Sequence, residues 1–266
     1  IHTVSAADYH PMVAGIARSR REWADRATRA PVGTDPAPHV ERVRRALAGT
    51  TMRRPQMIEM LEDAHQSIRQ SIDTDAEIVR IPPSGTWERR RADLCGLADD
   101  LIGHIEIDPD DGLRHLVRRY LAAFGPASVA DVASFVGMSL RPVKVLVAEM
   151  RLRRFRDEGG GELLDVPDGL LQDPETDVPA RFLPTWDAIL LVHARRTAVL
   201  PEAYRPLIFN TKMPPSYPTF LLDGQVAGTW RHVDGAIELS PLRQLTKPEH
   251  AALEDEAHRL AAFHAP

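Results

Sequence analysis

The stretch from Leu113 to Val166 constrains the fold more than any other part of the chain. Leu113, Leu116, Val117, Tyr120, Leu121 and Phe124 recur at i, i+3, i+4 and i+7, so they share one face of a helix. Gly125-Pro126 stops that helix. Ser128-Val-Ala-Asp131 is a capping box, in which the serine accepts from the third amide and the acid reaches back to the cap; it opens a short helix to Val136. Gly137-Met-Ser139 makes a turn, with Ser139 as the next N-cap. The helix that follows turns Val143, Leu146, Val147 and Met150 inward and leaves Arg141, Lys144, Ala148 and Arg151 outside. Phe155 to Glu158, then Gly159-Gly-Gly161, then Glu162 to Val166 read as a hairpin. Helix, helix-turn-helix and hairpin, in that order, predict a winged helix.

The same order is legible, less sharply, upstream. Ser5-Ala-Ala-Asp8 caps a helix to about Arg26, and the polar Pro/Gly stretch from Ala30 to Pro38 ends it. Short helices follow over 38–47, from Pro55 and over 64–72. Glu77 to Ile81 and Thr86 to Leu94 are then expected to pair as strands around Pro82-Pro-Ser-Gly85. This looks like a diverged copy of the later unit. Downstream, Thr219 to Leu222, Asp223-Gly224 and Gln225 to Arg231 form a strong hairpin signal. Asp234-Gly235 turns onto Ala236 to Leu239, giving a three-stranded meander, and 247–263 is a final amphipathic helix. The expected fold is therefore α+β: tandem winged helix-turn-helix units, a C-terminal β-meander or small barrel, and a terminal helix. The expected modules are 1–35, a remnant of a preceding module; 36–110 and 111–180, the two winged helices; and 181–266, the β-rich part. Ile1 to Val4 reads as a strand entered midway, so a natural segment is expected before it.

Charge is sorted along the chain. The net charge is −5, which by itself argues against a polyanionic partner. Yet 113–156 carries nine basic residues against Asp131 and Glu149, a local +7, while 157–187 carries nine acids against Arg181, a local −8. A basic face of that kind is a candidate polyanion site. No apolar run approaches the roughly 20 residues that a membrane span needs. The lone Cys95 excludes an internal disulfide framework and a cysteine-rich zinc site, which fits a reduced, cytoplasmic compartment. A monomer is expected, with no membrane partner, no cofactor and no metal.

Several groups carry possible chemistry. Arg141, Lys144 and Arg151 flank small Ala148, which lets a helix approach a groove closely; the plain alternative is a solvated face. Ser84-Gly-Thr-Trp-Glu-Arg-Arg-Arg91 reads as a wing in which Arg89, Arg90 and Arg91 meet phosphates, or else as a hairpin anchored by Trp87 with its arginines in water. The 11 histidines show no metal-ligand spacing and read as isolated surface residues. Asp108-Pro-Asp-Asp-Gly112 lacks the downstream ligands of a calcium loop and reads as a helix cap. Asp187 is the one acid of interest for glycosidic hydrolysis, which needs a group to orient water and one to offset charge on the sugar; otherwise it is a cap or a salt-bridge partner. No Ser/His/Asp or phosphate-loop signature occurs.

Four stretches together resemble the AlkZ-like winged-helix DNA glycosylases: Arg80 to Trp87, Arg118 to Val132, Arg181 to Asp187 and Pro218 to Arg231. In order and spacing they cover most of the chain. The resemblance implies tandem winged helices around a small β-barrel, a concave basic surface for double-stranded DNA, and excision of alkylated or crosslinked bases. It adds Arg231 to the candidate DNA contacts. It also implies a catalytic Gln-apolar-Gln or Gln-apolar-Asp pair in a first winged helix, upstream of the strand matching Ile1 to Val4. Gln56, Gln66, Gln70, Gln172, Gln225 and Gln244 form no such pair. Either the catalytic part has been removed from this chain or this branch never had it. The alternative function is a non-catalytic winged-helix regulator or DNA-binding module.

Overall fold

The computed structural model describes residues 3–84, 93–173, 175–192, 194, 197–209 and 216–264. They form two compact units, Ile1–Pro167 and Asp168–Pro266. Both are mixtures of helices and antiparallel sheet, an α+β architecture.

Helix α1 (Ala6–Thr28) is capped by Ser5, whose hydroxyl oxygen accepts from the Asp8 amide. Thr3 and Val4 lie in no strand, against the expected one. Beyond α1 come α2 (Ala37–Leu47), a two-residue strand β1 (Met52–Arg53), α3 (Arg54–Glu59), α4 (Gln66–Asp75), and strands β2 (Ile78–Arg80) and β3 (Leu94–Leu97). β3 lies centrally and pairs antiparallel with both β1 and β2, matching Met52 to Cys95 and Val79 to Gly96. The return strand thus begins at Leu94, where the expected one ended; 85–92 lie outside the described residues. Val43, Leu47, Met57, Leu61, Ile68, Ile72 and Cys95 fill the core beneath this sheet. Short α5 (Ala98–Ile102) closes the segment.

Next comes α6 (Pro109–Phe124), capped by Asp108, whose carboxylate accepts from the Asp110 and Asp111 amides. It is followed by α7 (Val129–Val136), α8 (Leu140–Glu149), and the hairpin β4 (Arg153–Arg156) and β5 (Glu162–Asp165). The Ser128/Asp131 capping box forms, and Gly137 ends α7 at φ 69°, the left-handed conformation glycine tolerates. The hairpin starts two residues before the expected Phe155. Ala127, between α6 and α7, bridges Leu164 on the second hairpin strand. β1, between α2 and α3, meets β3 in the same way, so both segments follow one topology: helix, short extended contact, two helices, hairpin.

Helix α1 packs on both α4 and α6. At the α1–α6 crossing, a Cβ on Gly112 would lie 2.6 Å from the Pro11 carbonyl oxygen, and one on Gly15 would lie 2.7 Å from that of Gly112. Only paired glycines allow that approach. Asp8 ties the same helices, accepting from His115 Nε2 at 2.8 Å and pairing with Arg119 at 3.1 Å. The Ser5 hydroxyl, helped by His115 and Arg119, holds the Asp8 carboxyl below its ordinary range despite some burial.

In the second unit, β6 (Arg181–Leu183), the short α9 (Ala188–Leu191) and α10 (Arg205–Ile208), and strands β7 (Thr219–Leu222), β8 (Gln225–Val233) and β9 (Ala236–Pro241) precede α11 (Lys247–His264). The expected meander is β7-β8-β9. β6 adds a fourth strand beside β7, and among the described residues no pairing joins β6 to β9. Phe220 lies opposite Gly228, where a Cβ would fall 2.2 Å from its ring. The Trp230 indole donates to the Leu183 carbonyl at 2.9 Å. Phe220, Leu222, Ala227 and Leu253 of α11 form one buried cluster.

Candidate nucleic-acid interface

Helix α8 presents the basic surface. Val143, Leu146 and Val147 are buried, while Arg141, Lys144, Val145, Ala148 and Arg151 are exposed. At 100° per residue, positions 141, 144, 145 and 148 fall within about 100° of arc, so they form one face. Arg141, Lys144 and Arg151 make no ion pair with any described residue. Their neighbours differ: Arg114 pairs with Asp111 and Glu149, Arg119 with Asp8, and Arg154 with Glu162 at 2.7 Å. The +7 stretch therefore resolves into cations held in internal ion pairs and cations with none among the described residues. Sequence reading missed Val145, which is 59% exposed beside Arg141 and Lys144. Its position between the outward cations was the available signal.

Asp187 serves as the N-cap of α9, its carboxylate accepting from the Ile189 amide at 2.9 Å. Trp186 before it takes φ 65° and donates its amide to the Ser216 hydroxyl oxygen at 3.1 Å. The carboxylate is fixed by this cap and partly exposed.

The histidines are not all isolated surface groups. His10 is 2% exposed, with Nδ1 3.0 Å from Glu77 Oε2 and Nε2 2.8 Å from the Gly103 carbonyl. One donor atom each from His10, Glu77 and Asp99 lies within 4.8 Å of the others, a spacing that a metal would require. Arg44 already pairs with Asp99, and His104 lies 3.3 Å from it. Burial would raise the Asp99 pKa, and the Arg44 and His104 hydrogen bonds override it and hold it below the ordinary value. Burial beside Glu77, Asp73 and Asp99 pushes the Tyr9 phenol well above its usual range. The group is a compensated ionic tie between α1, the α4–β2 junction and α5.

A family model described as DNA glycosylase AlkZ-like matches residues 1–263. The chain belongs to the AlkZ-like DNA glycosylase family. Among solved structures, the DNA glycosylase AlkZ of Streptomyces sahachiroi is similar, with a TM-score of 0.80 at 18% identity, covering 97% of this chain and 75% of that one. At that identity the likeness speaks for the fold. No curated protein matches the chain.

The other expected contacts of this AlkZ-like chain divide. Arg89, Arg90 and Arg91 lie outside the described residues. Arg231 is exposed on β8 but is held by Glu238, opposite it on β9, at 2.6 Å. No helix among the described residues is long and apolar enough to cross a membrane.

Proposed function

We propose that this AlkZ-like chain binds double-stranded DNA through the outward face of α8, within a glycosylase that hydrolyses the N-glycosidic bond of alkylated or crosslinked bases. The observation that carries this reading is the pair of exposed cations Arg141 and Lys144 on the third helix of a helix–helix–helix–hairpin unit, with exposed Arg151 just beyond its end, none of them with an acid partner among the described residues. In this reading both such units are winged helices, the modules are those expected from sequence, and α8 is the recognition helix. The cations neutralise phosphates, and small Ala148 allows close approach. Arg89–Arg91 and Arg231 are further candidate phosphate contacts, Arg231 by exchanging Glu238 for phosphate. The protein acts as a monomer in a reduced, cytoplasmic setting, supported by its single buried cysteine, Cys95.

In the reaction, water adds at C1′ of the sugar and the base leaves with the electron pair of the glycosidic bond. A negative group must offset the positive charge building on the sugar. Asp187 is the candidate for that role within residues 1–266. One observation favours a second, non-catalytic reading: no Gln-apolar-Gln or Gln-apolar-Asp pair occurs in these residues, and the Asp187 carboxylate is engaged as a helix cap.

Two measurements test these readings. Arg141→Ala with Lys144→Ala is expected to weaken binding across all duplex sequences, with unchanged folding. Unchanged affinity would move the binding surface away from α8. Single-turnover excision from a 7-methylguanine duplex, with and without Asp187→Asn, tests catalysis. Excision lost in the variant supports a catalytic Asp187; no excision by the parent chain supports the binding-only reading of these residues.

A further inference from the structure

The α8 face is not simply basic. Val145 is 59% exposed and Leu140 41% exposed, and Ala148 lies one turn beyond Val145. A β-branched residue lowers helix propensity relative to alanine, lysine or glutamate, so Val145 adds nothing to the helix itself. The residues that α8 buries are Val143, Leu146 and Val147, not Val145. It sits against Arg141 and Lys144, which have no acid partner among the described residues. Around the helix Lys144, Ala148, Arg141 and Val145 follow one another, so the face mixes two cations with two apolar residues, and Glu149, paired with Arg114, comes next beyond Val145.

That arrangement matches one surface in chemical detail. The major groove of duplex DNA is about 12 Å wide, admits a helix, carries phosphate rails on both sides, and exposes on its floor the 5-methyl group of thymine. We infer that Val145, with Ala148, forms van der Waals contact with thymine methyls in the major groove while Arg141, Lys144 and Arg151 hold the rails. This rests on the DNA-binding reading of α8 and goes further: it makes Val145 a specificity-determining residue and gives the protein a preference for thymine beneath the helix. Charge complementarity fixes the occupant as DNA. A second copy of the chain would have to supply an acidic, apolar-centred face.

The test compares one duplex in two forms, with thymine or with uracil at every thymine position, at fixed salt. The parent protein is expected to bind the thymine form more tightly by about fourfold for each methyl contacted, the worth of one buried methyl. Val145→Ala, at an exposed site where alanine favours the helix, is expected to narrow that preference to what Ala148 contributes, chiefly by weakening binding of the thymine form; an unchanged preference overturns the role of Val145. Equal binding of both forms by the parent, with binding lost in Arg141→Ala/Lys144→Ala, overturns this inference and leaves the DNA-binding reading standing. If the parent binds neither form, both readings fail. If the free parent is a dimer by sedimentation and Val145→Asp makes it a monomer, the face belongs to a second copy and the inference is overturned.

Discussion

Helices α4 and α8 hold the same place in the two topologically similar segments: each is the third helix, followed by a hairpin whose second strand meets a short extended contact. Their surroundings differ. α1 packs along α4, with Arg21 paired to Asp75 and Arg20 donating to the Gln70 carbonyl. Ser67 and Ser71 of α4 are buried. Around it, Arg42, Arg44, Arg53, Arg54 and Arg80 are paired with Asp63, Asp99, Asp93 and Asp73. α8 packs on α7 and leaves Arg141 and Lys144, with Arg151 just beyond its end, exposed and without acid partners among the described residues. A repeated topology therefore does not repeat a function. The available face depends on what covers the third helix and on whether acids pair with the cations around it.

The largest expected effect comes from prising α1 away. Gly112→Val places side-chain atoms against the Pro11 carbonyl and Gly15, and should cost about 3 kcal/mol in urea unfolding. A cost below about 1 kcal/mol would mean that the α1–α6 crossing does not hold α1 in place. The contrast between the helices predicts next that Arg141→Ala/Lys144→Ala lowers duplex affinity about tenfold, or 1.4 kcal/mol, while the paired Arg42→Ala/Arg45→Ala changes it less than about twofold. Equal losses in a filter-binding or anisotropy titration would erase the distinction. Ser128→Ala removes the α7 cap and should cost about 1 kcal/mol by thermal denaturation, loosening the platform under α8.

The smallest effect is a pH dependence. Asp99 has its folded pKa held below the ordinary 3.8, so the stability it contributes is full above that value and is lost as pH falls through the depressed one. The stability gap between the parent and Asp99→Asn should therefore be constant near neutrality and close below about pH 4. A gap that widens in acid would contradict the Arg44 pairing.

Much of this was legible in the sequence because it is local. The Ser5, Asp108 and Ser128 caps, the α6 stripe and the Asp223-Gly224 turn each depend on a few adjacent residues, and each formed. What escaped is non-local. β1 and the Ala127 bridge are too short to carry a period, and exist because β3 and β5 offer unpaired edges. β6 is three residues whose partner lies far along the chain. For the site, helical spacing placed Arg141 and Lys144 outward, as the structure does; α8 ends at Glu149, so Arg151, expected on that helix, is exposed just beyond it. Helical spacing did not reveal that His10 is buried against Glu77, because that contact joins distant parts of the chain; the Arg231–Glu238 pair was within reach, since the Asp234-Gly235 turn sets those two residues opposite each other.

The central claim, that α8 is the polyanion-binding helix because its cations are left unpaired, is tested most directly by the salt dependence of duplex binding. If four to six phosphates are neutralised, log affinity should fall against log salt with a slope of about −4 to −5, and Arg141→Ala/Lys144→Ala should make it shallower by about 2. A flat titration, or an identical slope in the double variant with both proteins folded, would contradict it.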